Sequence, residues 1–141
     1  SDLEKKVKTL QLENKIHFLG RLPFEEMMNK TKSAKLAISI DKATNGNYAI
    51  SLPNKIFEYI ACSVPVLVSP LQEIKLIVEK HKTGEFLSSY NPQELAKQIT
   101  NLLNDERKLD LIAENCKKAA EELCWENEEI QIFKTIKNLE K

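Results

Sequence analysis

Asn54, Lys55 and Glu58, three polar residues in one short helix-forming run, have types and spacing that suit chemistry on a phosphorylated, hydroxyl-rich ligand. Asn54 and Glu58 are four apart and share a helix face, while Lys55 sits beside Asn54 in the first turn. Lys and Asn side chains donate to phosphate oxygens, and an ionised carboxylate accepts from paired hydroxyls. Pro53 fits the first helical position, where a missing N–H costs nothing. The free amides and positive dipole behind it favour an anion. Ile56, Phe57, Ile60 and Ala61 make the apolar side that packs on a sheet. The alternative reading of the same run is a surface helix with solvated polar residues and a Glu–Lys pair.

The elements that must position this helix alternate along the chain. Leu3, Val7 and Leu10 recur at helical spacing until Asn14. Lys15-Ile16-His17-Phe18-Leu19 then reads as a short strand ending in Gly20, and Pro23 to Met28 opens a second helix. Leu36 to Ile40 is a strand, followed by a polar loop through Thr44-Asn45-Gly46-Asn47. After the helix of Asn54, Lys55 and Glu58, Val64 to Val68 is a continuous apolar run, as expected of a strand covered on both faces. Gln72 to Lys80 reads as a helix, Thr83-Gly84 as a turn and Glu85 to Leu87 as a last strand. Asn91-Pro92-Gln93-Glu94 carries a helix N-cap signature ahead of Leu95, Ile99, Leu102 and Leu103. Asp105 can cap a further helix with Leu109, Ile112, Cys116, Ala119 and Leu123 on its apolar face, and Trp125 to Leu139 adds another through Ile130, Phe133 and Ile136. The expectation is an α/β fold: a Rossmann-like parallel sheet of about four strands flanked by helices, in one domain over 1–141, with 1–104 the sheet unit and 105–141 a helical C-terminal tail.

Composition agrees with a globular domain. Of 141 residues, 42% are hydrophobic and 30% charged, with 21 basic and 21 acidic residues cancelling. The balance and only 6% aromatic residues give no support to a nucleic-acid surface. No apolar run reaches the roughly 18 residues of a membrane span, and the start is not a signal peptide, so the expected location is cytoplasmic. Cys62, Cys116 and Cys124 lack metal-ligand spacing and read as reduced structural residues. Cys62 as a nucleophile lacks a nearby histidine. His17, in an alternating strand pattern, and His81, in a polar turn, read as structural. No metal or cofactor is expected. A dinucleotide oxidoreductase is disfavoured because no G-x-G-x-x-G follows a strand.

The run Pro53-Asn54-Lys55-Ile56-Phe57-Glu58-Tyr59-Ile60-Ala61-Cys62-Ser63-Val64-Pro65-Val66 resembles the donor-site helix of retaining, GT-B-type glycosyltransferases, which reads P-x-K-x-x-E-Y-x-A-x-G-x-P-V. The likeness extends to Phe18-Leu19-Gly20, Thr83-Gly84-Glu85-Phe86-Leu87, Pro92-Gln93-Glu94-Leu95-Ala96 and Cys124-Trp125-Glu126, nearly the whole chain. It implies the donor-binding domain of an enzyme moving sugar, with retention, from a nucleotide-diphosphate sugar to a glycan or lipid-linked acceptor, as in polysaccharide biosynthesis. By this resemblance Glu58 takes the ribose hydroxyls. Asn54, Lys55 and the amides after Pro53 hold the diphosphate. The loop through Gly46, Asn47, Ser51 and Leu52 approaches the sugar, and Arg21 and Leu22 lie near the base. Arg21 is equally well read as an exposed turn residue.

Two positions depart from the family pattern. Its first glutamate falls here on Ile50, so contact with the sugar must pass elsewhere, for instance to the loop Asp41 to Ser51. Ser63 replaces a glycine, a change that is mild at negative φ and strained at positive φ. The resemblance also implies two earlier strand–helix units and an acceptor domain, so the expectation is a fragment, inactive alone, whose exposed strand edge invites self-association. Lys5-Lys6-Val7-Lys8 and Lys117-Lys118 suggest peripheral contact with the inner membrane face, although interleaved acids favour solvated helix faces. The reading from another class is a non-catalytic α/β interaction module that docks a partner through 105–141.

Overall fold

A computed structural model describes residues 1–42, 44 and 46–139, with the side chains of residues 48 and 49 left aside. Asn45, part of the expected polar loop, lies outside the described residues. The order is α1 (Asp2–Thr9), α2 (Phe24–Lys32), β1 (Ala37–Ser39), α3 (Gly46–Ala49), α4 (Asn54–Ala61), β2 (Val66–Val68), α5 (Gln72–His81), β3 (Gly84–Phe86), α6 (Pro92–Asn104), α7 (Glu106–Glu122) and α8 (Trp125–Leu139). The fold is α/β, a parallel sheet flanked by helices with a helical end.

The sheet has three strands in the order β1-β2-β3. Ala37 pairs with Val66 and Val66 with Gly84; Ser39 pairs with Val68 and Val68 with Phe86. The central strand is buried along its whole length, the pattern of a strand covered on both faces. On one face Ala37, Val66 and Val68 join Ile56 and Ile60 of α4, Ile74 and Val78 of α5 and Ala119 of α7 in one core. On the other face Leu67 is fully buried, whereas its register partner Ile38 is 41% exposed. That face is therefore covered over β2 and open over β1.

The expected strand at 15–19 is not formed. Ile16, Phe18 and Leu19 are exposed, and among the described residues their segment has no ladder partner. Alternating apolar residues mark a capacity for pairing, and only a neighbouring strand turns that capacity into structure. His17 is thus an exposed residue of that segment. Residues 46–49, read as loop, form a single helical turn, too short to show periodicity. Pro53 is the N-cap of α4 and not its first helical residue: its ψ of 136° is extended. Gly84, expected in a turn, opens β3.

The remaining capping chemistry matches the sequence. Asn91 accepts from the amides of Gln93 and Glu94, and Asp105 from Lys108. Helix α7 is part of the core: Leu109, Ile112, Cys116 and Ala119 are buried. It lies across the amino ends of β2 and β3, where Cys116 Sγ is 3.6 Å from the carbonyl oxygen of Val64 and 3.4 Å from that of Thr83. Burial pushes that thiol's pKa up to about 12. Helix α8 has no buried residue, and Trp125, Ile130, Phe133 and Ile136 are exposed along it.

The join between α4 and β2 is tight. The Ser63 amide donates to Ile60 at 2.9 Å and the Val64 amide to Tyr59 at 3.0 Å, the paired bonds of a Schellman turn. Such a turn needs a left-handed residue, and Ser63 has φ of 58°. Positive φ at this serine is the strained outcome of the two that the sequence left open.

Candidate functional site

In a parallel sheet the loops leaving the carboxyl ends of the strands meet the amino ends of the following helices, and ligands gather there. Here that edge comprises Ser39 at the end of β1 with Ile40 to Lys42 after it, Ser69 to Leu71 after β2, the start of α4 and the loop after β3. Pro53 and Leu71, the N-caps of α4 and α5, make no side-chain capping hydrogen bond. Among the described residues no side chain caps the first-turn amides of either helix, and such amides favour an anion.

Lys55 is joined to the end of β1. Its Nζ lies 3.1 Å from Asp41 Oδ2, and the same oxygen accepts from the Ser39 hydroxyl at 2.9 Å. Partial burial raises the Asp41 pKa, but the Ser39 hydrogen bond and the Lys55 ammonium outweigh it and hold the carboxyl below the ordinary aspartate value. Tyr90, in the loop between β3 and α6, closes the group from the far side. Its Oη is 2.9 Å from the Asp41 carbonyl oxygen and 3.1 Å from Ser69 Oγ. A carbonyl only accepts, so the single phenolic proton goes there and the Ser69 hydroxyl donates to the phenolic oxygen. Ser39 and Ser69 are buried, so each hydroxyl needs these partners. Lys42 Nζ stands 5.3 Å from the centre of the Tyr90 ring, a cation–π contact.

Asn54 is exposed and Glu58 half-buried on α4, one helical turn apart, with Lys55 also half-buried. Leu52 packs against the core, which fixes the entry to α4. Ser51 is half-buried, while Gly46 and Asn47 lie exposed on α3. Arg21 is exposed and Leu22 half-buried in the bend before α2, and among the described residues neither bonds to the Lys55 group. The structure thus brings Pro53, Asn54, Lys55 and Glu58 together by helix geometry. It adds Asp41, Ser39, Ser69, Lys42 and Tyr90, of which the sequence reading named only Asp41, as the start of a loop. Tyr90 is 49 residues from its carbonyl partner and Lys55 is 14 from its counter-ion, and no short-range pattern joins either pair.

Cys62 does not fit a nucleophile. Burial raises its pKa, Lys32 opposes this and Glu58 adds to the rise, and its Sγ faces the Met28 carbonyl oxygen at 3.6 Å. His81 has its ring buried beside Glu122, with Nδ1 3.7 Å from the carboxylate, at the far end of α5. Among the described residues no group of His, Cys, Asp and Glu could hold a metal, and no helix is long and apolar enough to cross a membrane.

Comparison with known proteins gives a consistent picture. Residues 1–122 match the family described as glycosyl transferases group 1. An uncharacterized glycosyltransferase of Methanocaldococcus jannaschii is 25% identical over 127 residues, 88% of this chain and 34% of that protein. Sucrose-phosphate synthase from Thermosynechococcus elongatus superposes with a TM-score of 0.79 at 20% identity, over 97% of this chain and 33% of that one. The second likeness speaks for the fold. The chain spans about a third of the length of each of these relatives.

Proposed function

The chain belongs to the glycosyl transferases group 1 family, with the fold of a GT-B C-terminal domain, and from that premise we propose that it is the donor-binding part of a longer glycosyltransferase. The observation that carries this reading is the start of α4. It offers Asn54, Lys55 and uncapped amides at the carboxyl edge of the sheet, with Glu58 one turn further along the same helix.

In this reading Lys55, Asn54 and the helix dipole meet the diphosphate of a nucleotide sugar, and Glu58 accepts from both ribose hydroxyls. As the glycosidic bond to the diphosphate breaks, negative charge grows on the leaving group, and fixed cationic and N–H groups stabilise it. The transfer proceeds with retention to a glycan or lipid-linked acceptor bound by another part of the enzyme. Gly46, Asn47 and Ser51 approach the sugar, and Arg21 and Leu22 the base. Residues 1–104 carry the ligand groups, and within 105–141 helix α7 braces them. The work is done in the cytoplasm, at the inner face of the membrane when the acceptor is lipid-linked.

Glu58→Ala in the whole enzyme tests the assignment. Activity should fall at least tenfold with an unchanged circular-dichroism melt, and unchanged turnover would defeat the ribose role. The exposed apolar side of α8 favours the other reading, an interaction module without donor binding. Titration with UDP, GDP and ADP separates the two, since a module binds none of them.

A further inference from the structure

We propose that Asp41 lets this site tell a glycosylated diphosphate from a bare one, making it the specificity-determining residue beside Lys55. The inference rests on the reading that Lys55 meets the diphosphate. Both partners of the Asp41 carboxylate, Ser39 and Lys55, converge on Oδ2. Among the described residues Oδ1 has no partner, and the side chain keeps 27% of its surface exposed. The carboxylate therefore has one oxygen committed and one open beside the cation that would hold the phosphates.

The two ligands differ in what they bring to that oxygen. A bare nucleoside diphosphate ends in a phosphate whose second ionisation lies near pH 6, so at neutral pH it carries about one more negative charge than its sugar ester. Asp41 already neutralises Lys55, and its charge repels the added one. In the ester that oxygen is blocked by the sugar, which lowers the charge and supplies hydroxyl donors for Oδ1. Both effects favour the donor over the spent nucleotide. Lys42, over the Tyr90 ring, is a second cation near the group and attracts either ligand.

Tyr90 acts one step back, as a positioning residue. Its hydroxyl holds the Asp41 backbone against Ser69, which fixes where the carboxylate stands at the end of β1.

The test is calorimetric titration of the whole enzyme at low salt with UDP, GDP and ADP and with UDP-glucose, GDP-mannose and ADP-glucose. Asp41→Asn keeps the size and removes the charge. It should tighten the bare nucleotide about three- to tenfold, the effect of one unit charge several ångströms away in a partly solvated site. The sugar ester should gain nothing, so the preference for it falls by the same factor, about three- to tenfold. Tyr90→Phe, which keeps the ring, should move the preference the same way by a smaller factor, and it carries the test alone if Asp41→Asn does not fold. Intact binding with an unchanged preference in the folded variants overturns this inference and leaves the donor-site reading standing. Absence of nucleotide binding by the wild-type enzyme overturns that reading, and the inference with it.

Discussion

Replacing Ser63 by glycine should stabilise the fold. Ser63 holds φ of 58° to close the Schellman turn between α4 and β2. A non-glycine residue in the left-handed region costs roughly 1–2 kcal/mol, because Cβ crowds the following carbonyl. Glycine removes that crowding but is freer in the unfolded chain, which returns about 0.5–1 kcal/mol. The Ser63 side chain makes no hydrogen bond among the described residues, so nothing else is lost. The net gain is about 0.5–1 kcal/mol, a rise in Tm of about 2–4 °C for a domain of this size. Urea unfolding followed by circular dichroism at 222 nm measures it. Ser63→Val sets the sign, since a β-branched residue tolerates positive φ worst and should lose more than 1 kcal/mol. Donor binding should be unchanged in Ser63→Gly, because the turn keeps the same bonds. A glycine variant no more stable than wild type would refute the argument that this turn carries strain.

Gly84→Ala should destabilise by about 3 kcal/mol, read as a shift of the urea midpoint, because an added Cβ would lie 2.8 Å from the Val66 carbonyl carbon and closer still to its oxygen. The lowered pKa of Asp41 means that its stabilising contribution is present above the ordinary value of 3.8 and lost as pH falls through the lower folded value. Melting from pH 7 to pH 2 should therefore show a shallower acid limb for Asp41→Asn. Maleimide at pH 8 should modify one thiol, Cys124, as read by intact mass, with Cys62 and Cys116 reacting only in denaturant.

What could be read from the sequence was local. The α4 run, the Asn91 and Asp105 caps and the buried run into β2 each declare themselves within a dozen residues, through spacing that helices and strands impose directly. The segment 15–19 has a strand's pattern but forms none, because pairing is a property of two segments and among the described residues no strand pairs with it. The site divides the same way. Asn54, Lys55 and Glu58 lie on one helix and were legible from its period, while Ser39, Asp41, Ser69 and Tyr90 come from three separate loops and strand ends. Only the closing of the sheet brings those four together. The strain at Ser63 was visible as a substitution, but its sign depended on a φ that side-chain types do not encode.

Helix α4 is fastened more firmly at its last turn than at its first. Its last turn is held by Ile60, Cys62, Val64 and the Schellman bonds, all close to the core. Its first turn has an extended proline and no side-chain cap, with Asn54 in solvent. Local opening is thus confined to the backbone at Asn54 and Lys55, because Ile56 is already fully buried in the core, while the rest stays shut until the domain unfolds. An anion seated on those amides would close the one turn that frays. The entropy lost on binding would then fall on a few residues already attached to a rigid body, and amide exchange there would report occupancy before any other part of the chain.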